Sequence, residues 1–134
     1  MGLDVVHLLV DGAPQPIAPF SHATAAGDFI FVTGQMPIVP ETGAYVRGSF
    51  AEQTDAVMRN LDLVLRGAGS DWDHVLHCRI YLTDFTKYGE VNEAYRRWFP
   101  RGRLPARTCI GVTGLAGDAD VEIDLLAARA KARG

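Results

Sequence analysis

The sequence predicts an α+β fold, with about six mostly antiparallel strands in one sheet and two amphipathic helices on one of its faces. Two observations lead there. Two segments carry apolar residues at helical spacing, while several shorter ones alternate or are rich in β-branched residues. Their order along the chain reads strands, helix, strand, helix, strands. The composition fits one globular domain over residues 1–134: 48% hydrophobic and 22% charged, enough to bury a core without a metal or disulfide staple.

Residues 5–10 are apolar and β-branched enough for a first strand, ended by Asp11-Gly12. Pro14, Pro16 and Pro19 then keep the chain extended and irregular as far as Ser21. Residues 23–26 and 29–33 flank Gly27-Asp28 as a hairpin, and Glu41-Thr42-Gly43 supplies another turn. Ser49 and Glu52 form a capping box, each side chain satisfying an orphan backbone donor at a helix start. Behind it Val57, Met58, Leu61, Val64 and Leu65 recur at helical spacing, and Gly67 and Gly69 stop the helix.

Residues 75–82 alternate, with Leu76, Cys78, Ile80 and Leu82 pointing one way and His77 and Arg79 the other. Asp84 is placed to cap a second helix whose Tyr88, Val91, Tyr95 and Trp98 share a stripe, ended by Pro100. Residues 107–112 and 121–128 are the last strands, joined by a glycine-rich turn at 114–118, and residues 131–134 form a frayed tail. With both helices on one face, the other face needs a cover. Another copy of the chain is the simplest one, so an oligomer is expected.

The charge count, 13 basic against 16 acidic for a net −3, argues against nucleic acid or a membrane surface as the main partner. The arginines at 96, 97, 101, 103 and 107 invite a nucleic-acid reading, but Arg96 and Arg97 lie off the apolar stripe, where solvated residues belong. Cys78 and Cys109 form no CxxC pair, and no apolar run reaches the length of a membrane span. The expectation is a soluble, cytoplasmic protein.

Phosphate-loop, zinc-protease and nucleophile-elbow motifs are absent from the sequence. His74 and His77 fall at a strand start, where their odd spacing sends them to opposite faces, so no metal site is expected. Cys78 reads as a small core residue, and Cys109 shares a strand face with Arg107. Three features fit a purely structural role poorly. Arg107 opens an apolar strand, and its fork matches a carboxylate bidentately. Glu122 faces away from the Val121/Ile123/Leu125 stripe. Adjacent antiparallel strands would bring the two onto one face, as a site, as a cross-strand ion pair or as two solvated charges. Thr33-Gly34-Gln35 ends a strand with a glycine that either admits a ligand to the backbone or marks a bulge.

Taken in order, these segments resemble the Rid (YjgF/RidA) family of imine and enamine deaminases. The resemblance rests on Pro16-Ile17-Ala18-Pro19-Phe20-Ser21, on residues 29–37 (FIFVTGQMP) and on Glu41-Thr42-Gly43. It continues through Gln53-Thr54, Asn60-Leu61, residues 91–95 (VNEAY), Pro105-Ala106-Arg107-Thr108-Cys109 and residues 121–124 (VEID), so it runs from about Pro16 to Ala128.

The resemblance implies a homotrimer whose sheets form a central barrel, with active sites in the clefts between subunits. It implies hydrolysis of reactive 2-imino acids to 2-keto acids and ammonia, without a metal or organic cofactor. It assigns Arg107 to the substrate carboxylate and Glu122 to the attacking water. Phe20, Thr33, Gly34, Asn92 and Cys109 match cleft positions. Phe20 stands where many imine-deaminating members have tyrosine, which bears on substrate range. Family members have also been described as ribonucleases, translation inhibitors and chaperone-like proteins. A non-catalytic module that holds small carboxylates at the same cleft is the other reading.

Overall fold

A computed structural model describes residues 2–130. Six strands form one sheet in the order β1-β2-β3-β6-β4-β5: β1 (Val6–Leu8), β2 (Ala23–Ala26), β3 (Phe29–Gln35), β4 (Val75–Leu82), β5 (Ala106–Gly111) and β6 (Val121–Ala128). All neighbours are antiparallel except β4 and β5, which run parallel. Two helices, α1 (Phe50–Gly67) and α2 (Tyr88–Arg96), complete the α+β layer. The 131–134 tail lies outside the described residues.

The capping box forms as expected: Ser49 Oγ accepts from the Glu52 N–H at 3.1 Å, and Glu52 Oε1 accepts from the Ser49 N–H at 3.2 Å. Val57, Met58, Leu61, Val64 and Leu65 are fully buried, each contributing roughly 2 kcal/mol of transfer free energy. They pack on Ile30, Val32, Cys78, Ile80, Ile123 and Leu125 of the sheet. Past the Ala68 cap, Gly69 takes φ +84°, the left-handed turn that lets the chain leave the helix.

Two polar residues of α1 position the chain around β6 and the end of β3. Asn60, buried, donates through Nδ2 to the Met36 and Ile38 carbonyls at 3.0 and 2.8 Å. Gln53 reads both sides of Asp120: its Nε2 donates to Oδ2 at 3.0 Å and its Oε1 accepts from the Asp120 N–H at 2.9 Å. Thr83 Oγ1 donates to the other oxygen of Asp120 at 2.6 Å. The start of β6 is thereby fixed from two directions, two residues before Glu122.

Four expectations change. Leu76 leaves the apolar stripe of β4 and is 42% exposed, because the β4–β6 register shifts between Val75 and His77 and turns that one residue outward. Asp84 caps a 3-10 turn, Phe85–Lys87, rather than α2 itself, its Oδ1 accepting from the Thr86 N–H at 3.0 Å. Val91, Ala94 and Tyr95 are the buried face of α2; Tyr88, its first residue, shares the Tyr95 side but is 37% exposed at the helix end, and Trp98 lies past the last turn. His74 belongs to a 3-10 turn before β4, where its Nδ1 meets Asp71 Oδ1 at 2.6 Å.

The face opposite the helices is uncovered in the single chain. Phe29 and Phe31 are each 51% exposed and Ile110 46%, an apolar surface of the kind that seats a partner. A trough of about 420 Å³ runs along this face past Phe31 and Gly34, with Arg79 Nε donating to Asp124 Oδ1 at 2.8 Å. No described helix is long and apolar enough to cross a membrane.

Candidate active site

Arg107 and Glu122 do not share a face, and their strands are not neighbours. β4 lies between β5 and β6. Across β4, Arg107 is level with Cys78 and Glu122 with Tyr81, three residues apart and therefore on opposite sides of the pleat. The expectation of adjacent antiparallel strands fails because a helix connects β4 to β5. A strand-helix-strand crossover returns the second strand parallel to the first, at the sheet edge. An ion pair between the two residues within one chain is excluded by the same geometry.

Arg107 points to the helix side and enters a cleft of about 210 Å³ lined by Asn92, Tyr95, Arg96, Leu104 and Pro105. Its Nη2 donates to Asn92 Oδ1 at 2.8 Å and to Tyr88 Oη at 2.9 Å. Its Cζ lies 5.1 Å from the Tyr95 ring centroid and 5.5 Å from that of Tyr88, so two aromatic faces hold the planar cation in place. Among the described residues no carboxylate pairs with it. A guanidinium oriented only by neutral groups retains its charge for an anion.

Cys109 lies two residues along the same face of β5, half-buried. Burial pushes its thiol up, against the opposing influence of the Arg107 cation. Cys78, deeper in the core, is pushed by burial to about 11. Both are held as thiols, so neither has the depressed pKa of an activated nucleophile. The hydroxyl of Tyr95 is buried without a hydrogen-bond partner in good geometry.

Glu122 stands on the uncovered face beside Gly34. A Cβ at Gly34 would overlap the Glu122 carboxylate, so the glycine is there to let that side chain lie against the backbone of β3. The same segment is a bulge, the β3–β6 register shifting between Val32 and Gln35. Burial, and then the charge of Asp124 two residues on, push the Glu122 carboxyl above the ordinary glutamate range. Gly34→Ala is therefore expected to leave the protein folded but displace Glu122. A melting temperature near wild type with lowered turnover would show it, and unchanged turnover would refute the contact's importance.

Phe20, 38% exposed, borders a small hollow with Gly34, Gln35 and Met36 on the Glu122 side. Thr33 fixes this segment: its Oγ1 donates to the Ser21 carbonyl at 2.6 Å and its N–H to that of His22 at 3.1 Å. His22, buried, receives the Val10 N–H on Nδ1 at 2.8 Å, with Nε2 2.7 Å from the Pro14 carbonyl. Nδ1 accepts, so Nε2 carries the proton and donates.

The seven residues singled out in the sequence thus fall into two groups. Arg107, Asn92 and Cys109 lie on the helix side at the β5 edge, and Phe20, Thr33, Gly34 and Glu122 lie around the end of β3. Sequence reasoning missed Tyr88, which it placed in the core stripe of α2. Among the described residues no three His, Cys, Asp or Glu side chains cluster as metal ligands. Two of the arginines that suggested nucleic acid are paired: Arg96 Nε lies 3.7 Å from Glu93 Oε1, and Arg101 contacts Asp73.

Comparison with known proteins agrees with this architecture. A family model described as Endoribonuclease L-PSP matches residues 10–129. A RutC family protein of Pyrococcus abyssi is 38% identical over 120 residues, covering 90% of this chain and 94% of its own. The chloroplastic Reactive Intermediate Deaminase A of Arabidopsis thaliana is 35% identical over 115 residues, covering 86% of this chain and 61% of its own. Among solved structures, yeast YEO7 superposes with a TM-score of 0.91 at 31% identity, over 95% of this chain and all of its own. Escherichia coli TdcF, solved with bound serine, gives 0.85 at 25% identity, over 92% and 99% of the two chains. The chain belongs to the Rid (YjgF/RidA) family.

Proposed function

We propose that the protein hydrolyses 2-imino acids, or their enamine tautomers, to 2-keto acids and ammonia, in a cleft formed between copies of the chain. The observation that carries this reading is Arg107, a charged fork held by Asn92, Tyr88 and Tyr95 with no carboxylate to neutralise it. The Arabidopsis relative named Reactive Intermediate Deaminase A supports deamination as the family's chemistry.

Anchoring the substrate carboxylate on Arg107 fixes the imine carbon relative to one water, which supplies much of the available proximity effect. Glu122, half-buried and with its carboxyl pushed up by burial, takes a proton from that water as its oxygen bonds to the imine carbon. Glu122 returns that proton to the imine nitrogen, giving the carbinolamine. Transfer of the carbinolamine's hydroxyl proton to the same nitrogen, again by way of Glu122, then lets the C–N bond break, releasing ammonia and leaving the carbonyl. Because imines also hydrolyse unaided, a modest barrier reduction suffices. Arg107 and Glu122 leave opposite sides of one sheet, so they converge when a second copy presents its Glu122 side to the first copy's Arg107 edge. A homotrimer with its sheets turned inward would also cover Phe29 and Phe31.

Keto-acid release from an imine generated in situ is expected to exceed the spontaneous rate. An unchanged rate, with keto acid still bound, would favour a non-catalytic carboxylate-binding module, the reading the serine-bound TdcF structure supports. The composite site has its own test. Arg107→Ala and Glu122→Gln chains, each strongly impaired alone, should regain turnover when unfolded together and refolded as mixed oligomers. No recovery from a mixed assembly would place both residues' action within a single chain.

A further inference from the structure

The two hydrogen bonds on Arg107 Nη2 have a consequence for how an anion reaches it. A guanidinium offers two paired edges, Nε with Nη2 and Nη1 with Nη2, and both include Nη2. The two hydrogens of Nη2 are committed here, one to Asn92 Oδ1 at 2.8 Å and one to Tyr88 Oη at 2.9 Å. A carboxylate can therefore engage Arg107 with two parallel bonds only after one of these oxygens yields its hydrogen.

The two partners differ in how easily they yield. Asn92 is partly buried on α2, next to the fully buried Val91. Its amide oxygen can only accept, so it would be stranded against an incoming anion. Tyr88 is 37% exposed at the first residue of α2, its ring stacked on exposed Phe85 with centroids 4.9 Å apart and planes 13° from parallel. Its hydroxyl accepts from Arg107 now, yet carries a proton of its own and turns about a single bond.

We propose that Tyr88 is a substrate-binding residue of the arginine clamp. Its hydroxyl holds the place of one carboxylate oxygen, releases Nη2 when the anion arrives, and then donates its own O–H to that oxygen. This rests on Arg107 being the carboxylate anchor. The carboxylate then receives two bonds from the guanidinium and a third from Tyr88, and no hydrogen-bonding group is left unpaired. Phe85 holds the ring in reach throughout. A neutral amide offers a single uncharged carbonyl oxygen and gains less from the exchange, so Tyr88 adds selectivity for acids over their amides.

The test is calorimetric binding of pyruvate and of its amide to wild type, Tyr88→Phe and Arg107→Ala. Phenylalanine keeps the ring and the stack on Phe85 at an exposed position, and melting curves check the fold. The expected result for Tyr88→Phe is about three- to tenfold weaker pyruvate binding, the worth of a hydrogen bond to a charged acceptor less that of the Arg107–Tyr88 bond it replaces, with a smaller loss for the amide. In turnover the same variant should raise KM more than it lowers kcat, since the contact serves the ground state and the transition state alike. Pyruvate bound by Tyr88→Phe as tightly as by wild type, or more tightly, would overturn the proposal while leaving Arg107 as anchor. Equal losses for acid and amide would overturn it too, reducing Tyr88 to a wall of the cleft. Undiminished pyruvate binding by Arg107→Ala would instead remove the anchor itself, and Tyr88's part with it.

Discussion

Arg107→Ala is expected to lose 2-keto acid binding and turnover together, by about 2–4 kcal/mol, or roughly 30- to 1000-fold in kcat/KM. The size follows from what the guanidinium does. It lies over the rings of Tyr88 and Tyr95 and is hydrogen-bonded to neutral oxygens, with no carboxylate partner among the described residues, so its charge is available to a ligand. On the proposed reading, its removal takes away both the ground-state anchor and the alignment of the imine carbon. Lysine at the position should rescue only in part, because a point charge lacks the two-pronged geometry and cannot lie flat between Tyr88 and Tyr95. Melting temperature, product affinity and turnover measured on the same two variants check this. Wild-type turnover in Arg107→Ala would remove the assignment.

Glu122→Gln is expected to separate from Arg107→Ala in every readout. Turnover should fall about a hundredfold, the usual worth of a positioned general base, with product affinity nearly unchanged. Stability should not fall, and the sign can be derived. Burial and the Asp124 charge raise the folded-state pKa of Glu122 above its unfolded value. The ionised carboxylate then costs stability at neutral pH, and that stability returns as pH drops through the folded-state pKa toward the unfolded one. A neutral amide removes the cost, so Glu122→Gln should melt at or above wild type near pH 7. For the same reason the acid limb of the wild-type rate profile should lie above the ordinary glutamate range, since the base must be ionised to act. A Glu122→Gln enzyme of full activity, or one clearly less stable, would refute the role.

Much of the fold was legible because local signals and tertiary demands agreed. The capping box, the five-residue apolar stripe of α1 and the alternation of Val121 to Leu125 in β6 each specify an element without reference to the rest of the chain. Strand order was less accessible. Residues 107 and 122 are close in sequence, and a meander would have made their strands neighbours. The helix between β4 and β5 was the signal to the contrary, since such a connection makes those two strands parallel partners. The bulge that exposes Leu76 leaves no mark on an alternating pattern. Tyr88 was misplaced because helical spacing gives a residue's side and not its depth. It shares the Tyr95 side of α2, but as the first residue of the helix it stands exposed beside Arg107 rather than in the core. The chemical residues stood out for a simpler reason: an arginine and a glutamate in otherwise apolar strands have few structural explanations, whatever their pairing.

The position of β4 between β5 and β6 also bears on how activity depends on the amount of protein. If the arginine of one copy works with the glutamate of another, dilution abolishes catalysis while each chain stays folded, and rate per chain rises with concentration until assembly saturates. Any damage that weakens association then acts as an inhibitor without touching the cleft. A dilution series would read the strength of assembly directly from chemistry.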